Sequence, residues 1–172
     1  MKNVLLIVIL ALSTALFSQR NGPYIDPILE KDVNLWIADA EKYNVNWKRV
    51  FYKFDTIKTM HFPFEDVLGY CDDYSNTIVI SKTIIDDPFL LKFVVYHELG
   101  HCILDYNHIC DRMAIMNPAI NFYPIELYQQ MRDRLVEDFF DKNRGIQCPE
   151  LRITENQVEP ELVLPNIQIC PH

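Results

Sequence analysis

The segment from His97 to His108, HELGHCILDYNH, holds the side chains of this chain that are best suited to metal chemistry. His97 and His101 are four residues apart, so on a helix both imidazoles lie on one face, where they can bind one Zn²⁺. Glu98 points to the side of that face, from which it can reach a metal-bound water without binding the metal. The ordinary alternative is a pair of core histidines that hydrogen-bond to the backbone.

The third ligand decides which kind of metal site this is, because a catalytic zinc usually has three protein ligands and an open fourth position. We expect His108 to be that ligand. Asp105 would lie one helical turn too far along, and Asn107 is a poor ligand for zinc. A glutamate of the downstream helix, either Glu126 or Glu137, would instead give a thermolysin-like site.

Three segments carry a resemblance to a known family: GYC at 69–71, VVYHELGHCILDYNH at 94–108 and AIMNP at 114–118. With them, the region from about Leu68 to Phe140 resembles small exported zinc metallopeptidases of the metzincin-like kind. The resemblance implies an α+β, zincin-like fold with a small twisted mixed sheet, an active-site helix and a C-terminal helix.

The same resemblance implies roles for five residues. His97, His101 and His108 would bind Zn²⁺, Glu98 would be the general base, and Met116 would form a Met-turn beneath the histidines. Methionine is also a common filler of ordinary cores, so Met116 alone would not indicate a metal site.

The chain departs from the metzincin pattern at the end of the active-site helix. Leu104 stands where the pattern has glycine, and Asn107 stands where it has the third histidine. Asp105 and Asn107 both tolerate turn conformations, and asparagine adopts left-handed backbone angles more readily than most residues. We therefore expect a slightly later turn that brings His108 back to the metal.

The elements that position these residues follow from the spacing of apolar side chains. Helical spacing predicts three helices, at about 27–43, 86–105 and 124–145, the last ending at Gly145. Alternating or continuous apolar runs predict three strands, at about 49–62, 67–71 and 76–85. The helix at 86–105 is apolar on most sides and should be buried. Residues 76–82, NTIVISK, are either an edge strand that pairs with a peptide or a plain core strand.

The length and charge of the chain limit its organisation and its partners. Its 172 residues suffice for one compact domain. With 24 acidic and 16 basic residues and no basic stripe, the sequence argues against a nucleic-acid partner. Residues 1–18 have the layout of a signal peptide, which predicts export to the periplasm or the exterior. A catalytic domain at 24–145 and an extended tail at 146–172 would follow, with no membrane span in the mature chain.

Five cysteines remain, so at least one is free or pairs between molecules. We expect a disulfide between Cys71 and Cys102, because Cys71 ends a strand expected to pack near the active-site helix that carries Cys102. Cys110, two residues after His108, is an alternative fourth ligand or a redox-sensitive plug. The pairing of Cys110, Cys148 and Cys170 is left open by the sequence.

Together these features predict a zinc metallopeptidase, an endopeptidase rather than an exopeptidase, that acts on a peptide or protein substrate. Glu98 would accept a proton from the metal-activated water and donate it to the leaving amine. The alternative is a non-catalytic zinc-stabilised module that binds a partner protein, in which Glu98 would have no chemical task. Neither the cleavage preference nor the oligomeric state follows from the sequence.

Overall fold

A computed structural model describes residues 22–63, 67–110, 112–118 and 124–141 of the chain. Four strands form a small mixed sheet: β1 (Tyr24–Ile25), β2 (Thr56–Met60), β3 (Gly69–Asp72) and β4 (Thr77–Ser81). Their spatial order is β1–β2–β4–β3; β2 pairs in parallel with both β1 and β4, and β3 pairs antiparallel with β4. The predicted signal peptide and C-terminal tail lie outside the described residues.

Helices complete the described fold: α1 (Glu30–Lys42), α2 (Lys48–Phe51), α3 (Pro88–Leu104), α4 (Ile125–Gln130) and α5 (Arg132–Phe140), with a 3₁₀ turn at Lys82–Ile84. The expected combination of helices with a small mixed sheet is therefore confirmed. Among the described residues, no helix combines the length and the apolar character needed to cross a membrane.

Helix α3 is largely buried and carries the first two histidines. It begins at a cap, where the Oδ1 atom of Asp87 accepts hydrogen bonds from the N–H groups of Phe89 and Leu90, both at 3.0 Å. Pro88 occupies the first turn, where its missing N–H costs nothing. The helix contacts α1, β3 and β4, and most of its residues are buried. This burial was predicted, because apolar side chains cover the helix on most sides.

The prediction of a strand at 49–62 is wrong in its first half. Residues Lys48–Phe51 form the short helix α2, and only Thr56–Met60 is extended. Trp47 and Phe51 explain the difference: four residues apart, they point the same way in a helical turn and pack edge to face, with ring centroids 5.2 Å apart. Both rings are buried in the core, so packing overrides the partial alternation of the sequence.

Of the two interpretations of NTIVISK, the structure supports the plain core strand and contradicts the edge strand. β4 lies between β2 and β3, and every residue from Thr77 to Ser81 is buried. Its continuous apolar run fits a strand that is covered on both faces. The strand at the edge of the sheet beside α3 is β3.

The predicted helix at 124–145 is divided in two. Met131, with φ −96° and ψ 5°, interrupts it between α4 and α5. Pro124 precedes the first turn, as expected. Gly145, the predicted end, lies outside the described residues.

Candidate metal centre

The structure brings three histidines together at one point. The Nε2 atom of His97 lies 3.1 Å from that of His101 and 3.2 Å from that of His108, and the Nε2 atoms of His101 and His108 are 3.0 Å apart. His97 is fully buried, and the other two are half-buried. The three rings thus present one nitrogen each to a common point.

The spacing of these nitrogens suits a metal ion. Zinc binds imidazole nitrogen at about 2.0–2.1 Å. Three imidazole nitrogens at these separations can all lie at that distance from one ion, and they would leave a coordination position of a tetrahedral Zn²⁺ open. The three histidines could therefore hold a metal ion.

Backbone carbonyl groups determine which ring nitrogen carries the hydrogen in two of the histidines. The Nδ1 atom of His97 lies 2.7 Å from the carbonyl oxygen of Ile115, and Nδ1 of His101 lies 2.6 Å from that of Tyr106. A carbonyl can only accept, so each Nδ1 carries the hydrogen and donates it. In the neutral rings each Nε2 then presents a lone pair to the others. Facing lone pairs repel unless a cation lies between them, which is the arrangement of metal-binding histidines.

A left-handed residue at the end of α3 returns the chain to the centre. Asp105 has φ 56° and ψ 41°, and the N–H of Tyr106 donates to the carbonyl oxygen of Gly100 at 3.1 Å. The reversal places the Tyr106 carbonyl against His101 and brings His108 to the first two histidines. Asp105 was one of the two residues expected to supply this turn, because aspartate tolerates left-handed angles better than most residues.

The AIMNP segment forms a turn directly beneath α3. The N–H of Asn117 donates to the carbonyl oxygen of Ala114 at 3.1 Å, and Ile115 supplies the acceptor for His97. The N–H of Ile109 donates to the carbonyl oxygen of Met116 at 2.8 Å, so the residue after His108 is tied to the same turn. Met116 is fully buried.

Gly100 allows this turn to approach the helix, and sequence analysis missed its role. A Cβ atom at Gly100 would stand 2.6 Å from Sδ of Met116 and 2.8 Å from Cε2 of Phe139. Only a residue without a side chain leaves room for both. The signal was present, because glycine inside a helix costs about 1 kcal/mol relative to alanine and so suggests a close packing contact.

Glu98 directly follows His97 on α3 and is not grouped with the three histidines. Its carboxylate belongs to a different group, with Cys71 and Cys102, in which the oxygen and sulfur atoms are within 4.8 Å of one another. The side chain is fully buried, and neither oxygen has a hydrogen-bond partner among the residues that the structure describes. Burial raises the pKa of Glu98 well above its usual value. A Cβ atom at Gly69 would stand 2.7 Å from Oε1, so β3 forms one wall of the carboxylate's niche.

Cys71 and Cys102 are joined by a disulfide, the pairing expected from their positions. It links β3 to the last turn of α3, one residue after His101. Cys110 is also disulfide-bonded, which removes the thiolate that would have closed the metal site as a fourth ligand. Its partner and the pairing of Cys148 and Cys170 lie outside the described residues.

The other candidates for the third ligand lie elsewhere. Glu126 and Glu137, on α4 and α5, are exposed and do not group with the histidines. Asp105 is exposed and acts through its backbone angles. Comparison of the chain with protein-family models, curated proteins and solved structures found no match. The geometry of the site is therefore the basis for any functional conclusion.

Proposed function

We propose that this protein is an exported zinc metallopeptidase of the metzincin-like kind, in which His97, His101 and His108 bind Zn²⁺ and Glu98 is the general base. The observation that carries the proposal is the meeting of three Nε2 atoms at 3.0–3.2 Å, on rings of which two are oriented by backbone carbonyls. The participation of Cys110 in a disulfide further supports a site with three histidine ligands.

The turn after α3 supports the metzincin comparison. In the pattern H-E-x-x-H-x-x-G-x-x-H, the glycine stands three residues before the third histidine. Here the left-handed Asp105 stands three residues before His108. The chain thus differs by one extra residue at the end of the helix, which continues through Leu104, and the turn and third ligand move together by one position. A glycine is not needed at position 104, which is Leu104 here, because Asp105 adopts the left-handed backbone conformation instead.

Zinc, when bound in such a site, lowers the pKa of a water molecule and polarises the carbonyl group of a substrate. Glu98 would accept the proton from that water and donate it to the amine that leaves. Burial raises the pKa of Glu98, so its carboxylate is a stronger base than that of an exposed glutamate. Gly69 and the disulfide hold β3 against α3 and restrict the movement of Glu98.

The position of β3 supports an extended peptide as the substrate. This strand forms one edge of the described sheet, and its Gly69 packs against Glu98. A peptide that adds to an exposed sheet edge runs alongside the edge strand and is held by its main-chain hydrogen bonds. A substrate paired with β3 would therefore pass the general base, which fits an endopeptidase.

The test is Glu98→Gln, which keeps the shape of the side chain and removes its ability to accept a proton. General acid–base catalysis contributes about 10²–10⁴-fold, so cleavage of a mixed peptide library should fall by that order while zinc content stays at one ion per chain. Glu137→Gln is the matched control, because Glu137 is exposed on α5, and it should match wild type in both measurements. Full retention of wild-type cleavage by Glu98→Gln would falsify its role as general base.

A non-catalytic zinc module that binds a partner protein is the second candidate. The complete burial of His97 and Glu98 favours it, because a closed structural site needs no path to solvent. In that case wild type would bind zinc without cleaving any library member, and Glu98→Gln would leave zinc affinity unchanged. Zinc removal by a chelator would then lower the melting temperature without an effect on any hydrolysis.

A further inference from the structure

A second set of potential metal ligands lies beside the histidine centre. A carboxylate oxygen of Glu98 and the Sγ atoms of Cys71 and Cys102 are within 4.8 Å of one another. In the disulfide the two sulfurs are poor ligands, because metals bind thiolates. We propose that reduction of this disulfide creates a second metal site, in which both thiolates and the Glu98 carboxylate bind a Zn²⁺ or Cd²⁺ ion.

Glu98 provides the observation that points to a cation at this place. Its side chain is fully buried, and within the described part of the chain neither carboxylate oxygen has a hydrogen-bond partner. A buried carboxyl group without hydrogen-bond partners is costly, and a bound metal ion is one of the groups that can compensate for that cost. Movement towards β3 is blocked, since Gly69 lies directly against Cγ and Oε1. The carboxylate is thus held close to the two sulfur atoms.

The backbone positions of the two cysteines suit a shared ion. Their Cα atoms are 5.8 Å apart, with Cys71 on β3 and Cys102 in the last turn of α3. Zinc binds thiolate sulfur at about 2.3 Å, so two thiolates on a tetrahedral ion are about 3.8 Å apart. Rotation about the side-chain bonds separates the sulfurs to that distance and leaves the strand and the helix in place.

A dithiol reductant balances the reduction of the disulfide. The reductant supplies two electrons and two protons, the S–S bond breaks, two thiols form, and the reductant becomes a disulfide. The ion then replaces both thiol protons, which pass to solvent. Two thiolates with one carboxylate select Zn²⁺ or Cd²⁺ over Mg²⁺ and Ca²⁺, which prefer sites made of oxygen.

Occupation of this site would remove Glu98 from the reaction, because a carboxylate that binds an ion no longer accepts a proton from water. That consequence rests on the proposed function. The metal site itself does not, so its test uses binding and absorbance and requires no peptidase activity.

The experiment compares Cd²⁺ binding by the oxidised full-length protein with binding after treatment with dithiothreitol and anaerobic removal of the reductant. Reduction also frees Cys110, so the reduced wild type should bind one more Cd²⁺ per chain than the reduced Cys71→Ser, Cys102→Ser protein. The additional ion should bring the ultraviolet thiolate-to-cadmium charge-transfer absorbance, while helical circular dichroism stays unchanged. Reduced protein that binds no additional ion, whether folded or unfolded, overturns the proposal.

Two variants identify the ligands. Cys71→Ser with Cys102→Ser removes both thiols and keeps the other three cysteines, so it measures the Cd²⁺ that those cysteines bind after reduction. Equal Cd²⁺ binding by the reduced wild type and the reduced double variant would refute the site. Glu98→Gln keeps both thiols, so the absorbance should remain while the Kd for the additional ion rises by about tenfold or more. An unchanged Kd would exclude the carboxylate as a ligand. If the double variant fails to fold, the Glu98→Gln comparison decides alone.

Discussion

The Nδ1 atom of His97 lies 2.7 Å from the carbonyl oxygen of Ile115, eighteen residues later in the chain. Nδ1 donates its hydrogen to that carbonyl, which orients the ring so that Nε2 faces His101 and His108. The turn that contains Ile115 is therefore part of the metal centre, although it contributes no metal ligand. Groups that hydrogen-bond to metal-binding histidines and orient their rings commonly affect metal affinity.

His108→Ala should lower zinc affinity sharply, because it removes one of three converging nitrogens. The matched control is His61→Ala, which removes an exposed histidine between β2 and β3. Zinc stoichiometry and a competition titration with a chelator measure the effect. If His108→Ala binds zinc as wild type does and Glu126→Ala or Glu137→Ala loses it, the third ligand has been assigned wrongly.

Asp105 should tolerate glycine and resist a β-branched residue. Its left-handed backbone angles cost a typical side chain about 1–2 kcal/mol, whereas glycine adopts them freely. Asp105→Gly should therefore leave the free energy of unfolding and zinc affinity near wild type, and Asp105→Val should lower both. Urea denaturation with and without zinc measures them. Equal effects of the two substitutions would mean that the carboxylate of Asp105, rather than its backbone conformation, matters.

Gly100→Ala should destabilise the protein by about 1–3 kcal/mol, although alanine favours helix, because its Cβ would meet Met116 and Phe139. Part of the cost should disappear in a Met116→Ala background, where the Sδ atom is gone. A double-mutant cycle from urea denaturation gives this coupling energy. Strictly additive effects would argue that Met116 does not limit the approach of the turn to α3.

Asp26 should make stability depend on pH in acid. The hydroxyl of Thr59 donates to its Oδ2 at 2.6 Å, and the N–H groups of Ile28 and Thr59 donate at 3.1 and 3.3 Å, which together hold its pKa below 3.8. The folded state therefore binds this proton less readily than the unfolded state. The stabilisation is present above pH 3.8 and is lost as pH falls through the lowered pKa.

Asp26→Asn should accordingly be less stable than wild type at pH 6 and should lose less stability on acidification. Urea denaturation of the metal-free protein between about pH 3 and 6 measures this, and the difference between wild type and Asp26→Asn isolates the contribution of Asp26. Asp133→Asn is the control, because its side chain is 97% exposed. A parallel pH dependence in wild type and Asp26→Asn would contradict the assignment.

Several features of the candidate site were predictable because they depend on neighbours in the chain. The four-residue spacing of His97 and His101 determines that their side chains share a helix face. Asp87 and Pro88 mark the start of that helix through hydrogen bonds to the next two or three residues. The return of His108 required only a residue that accepts left-handed angles, and Asp105 is one.

Tertiary structure alone decided the rest. β4 is central because other strands pair with both of its edges, and the helical turn at α2 exists because Trp47 and Phe51 fit the core. The carbonyl of Ile115 behind His97 and the wall that Gly69 places beside Glu98 join residues far apart in the chain. Helical spacing and capping depend on residues that are close together in the chain, so they can be predicted from the sequence. Strand neighbours and close contacts depend on which distant surfaces pack together, so they cannot.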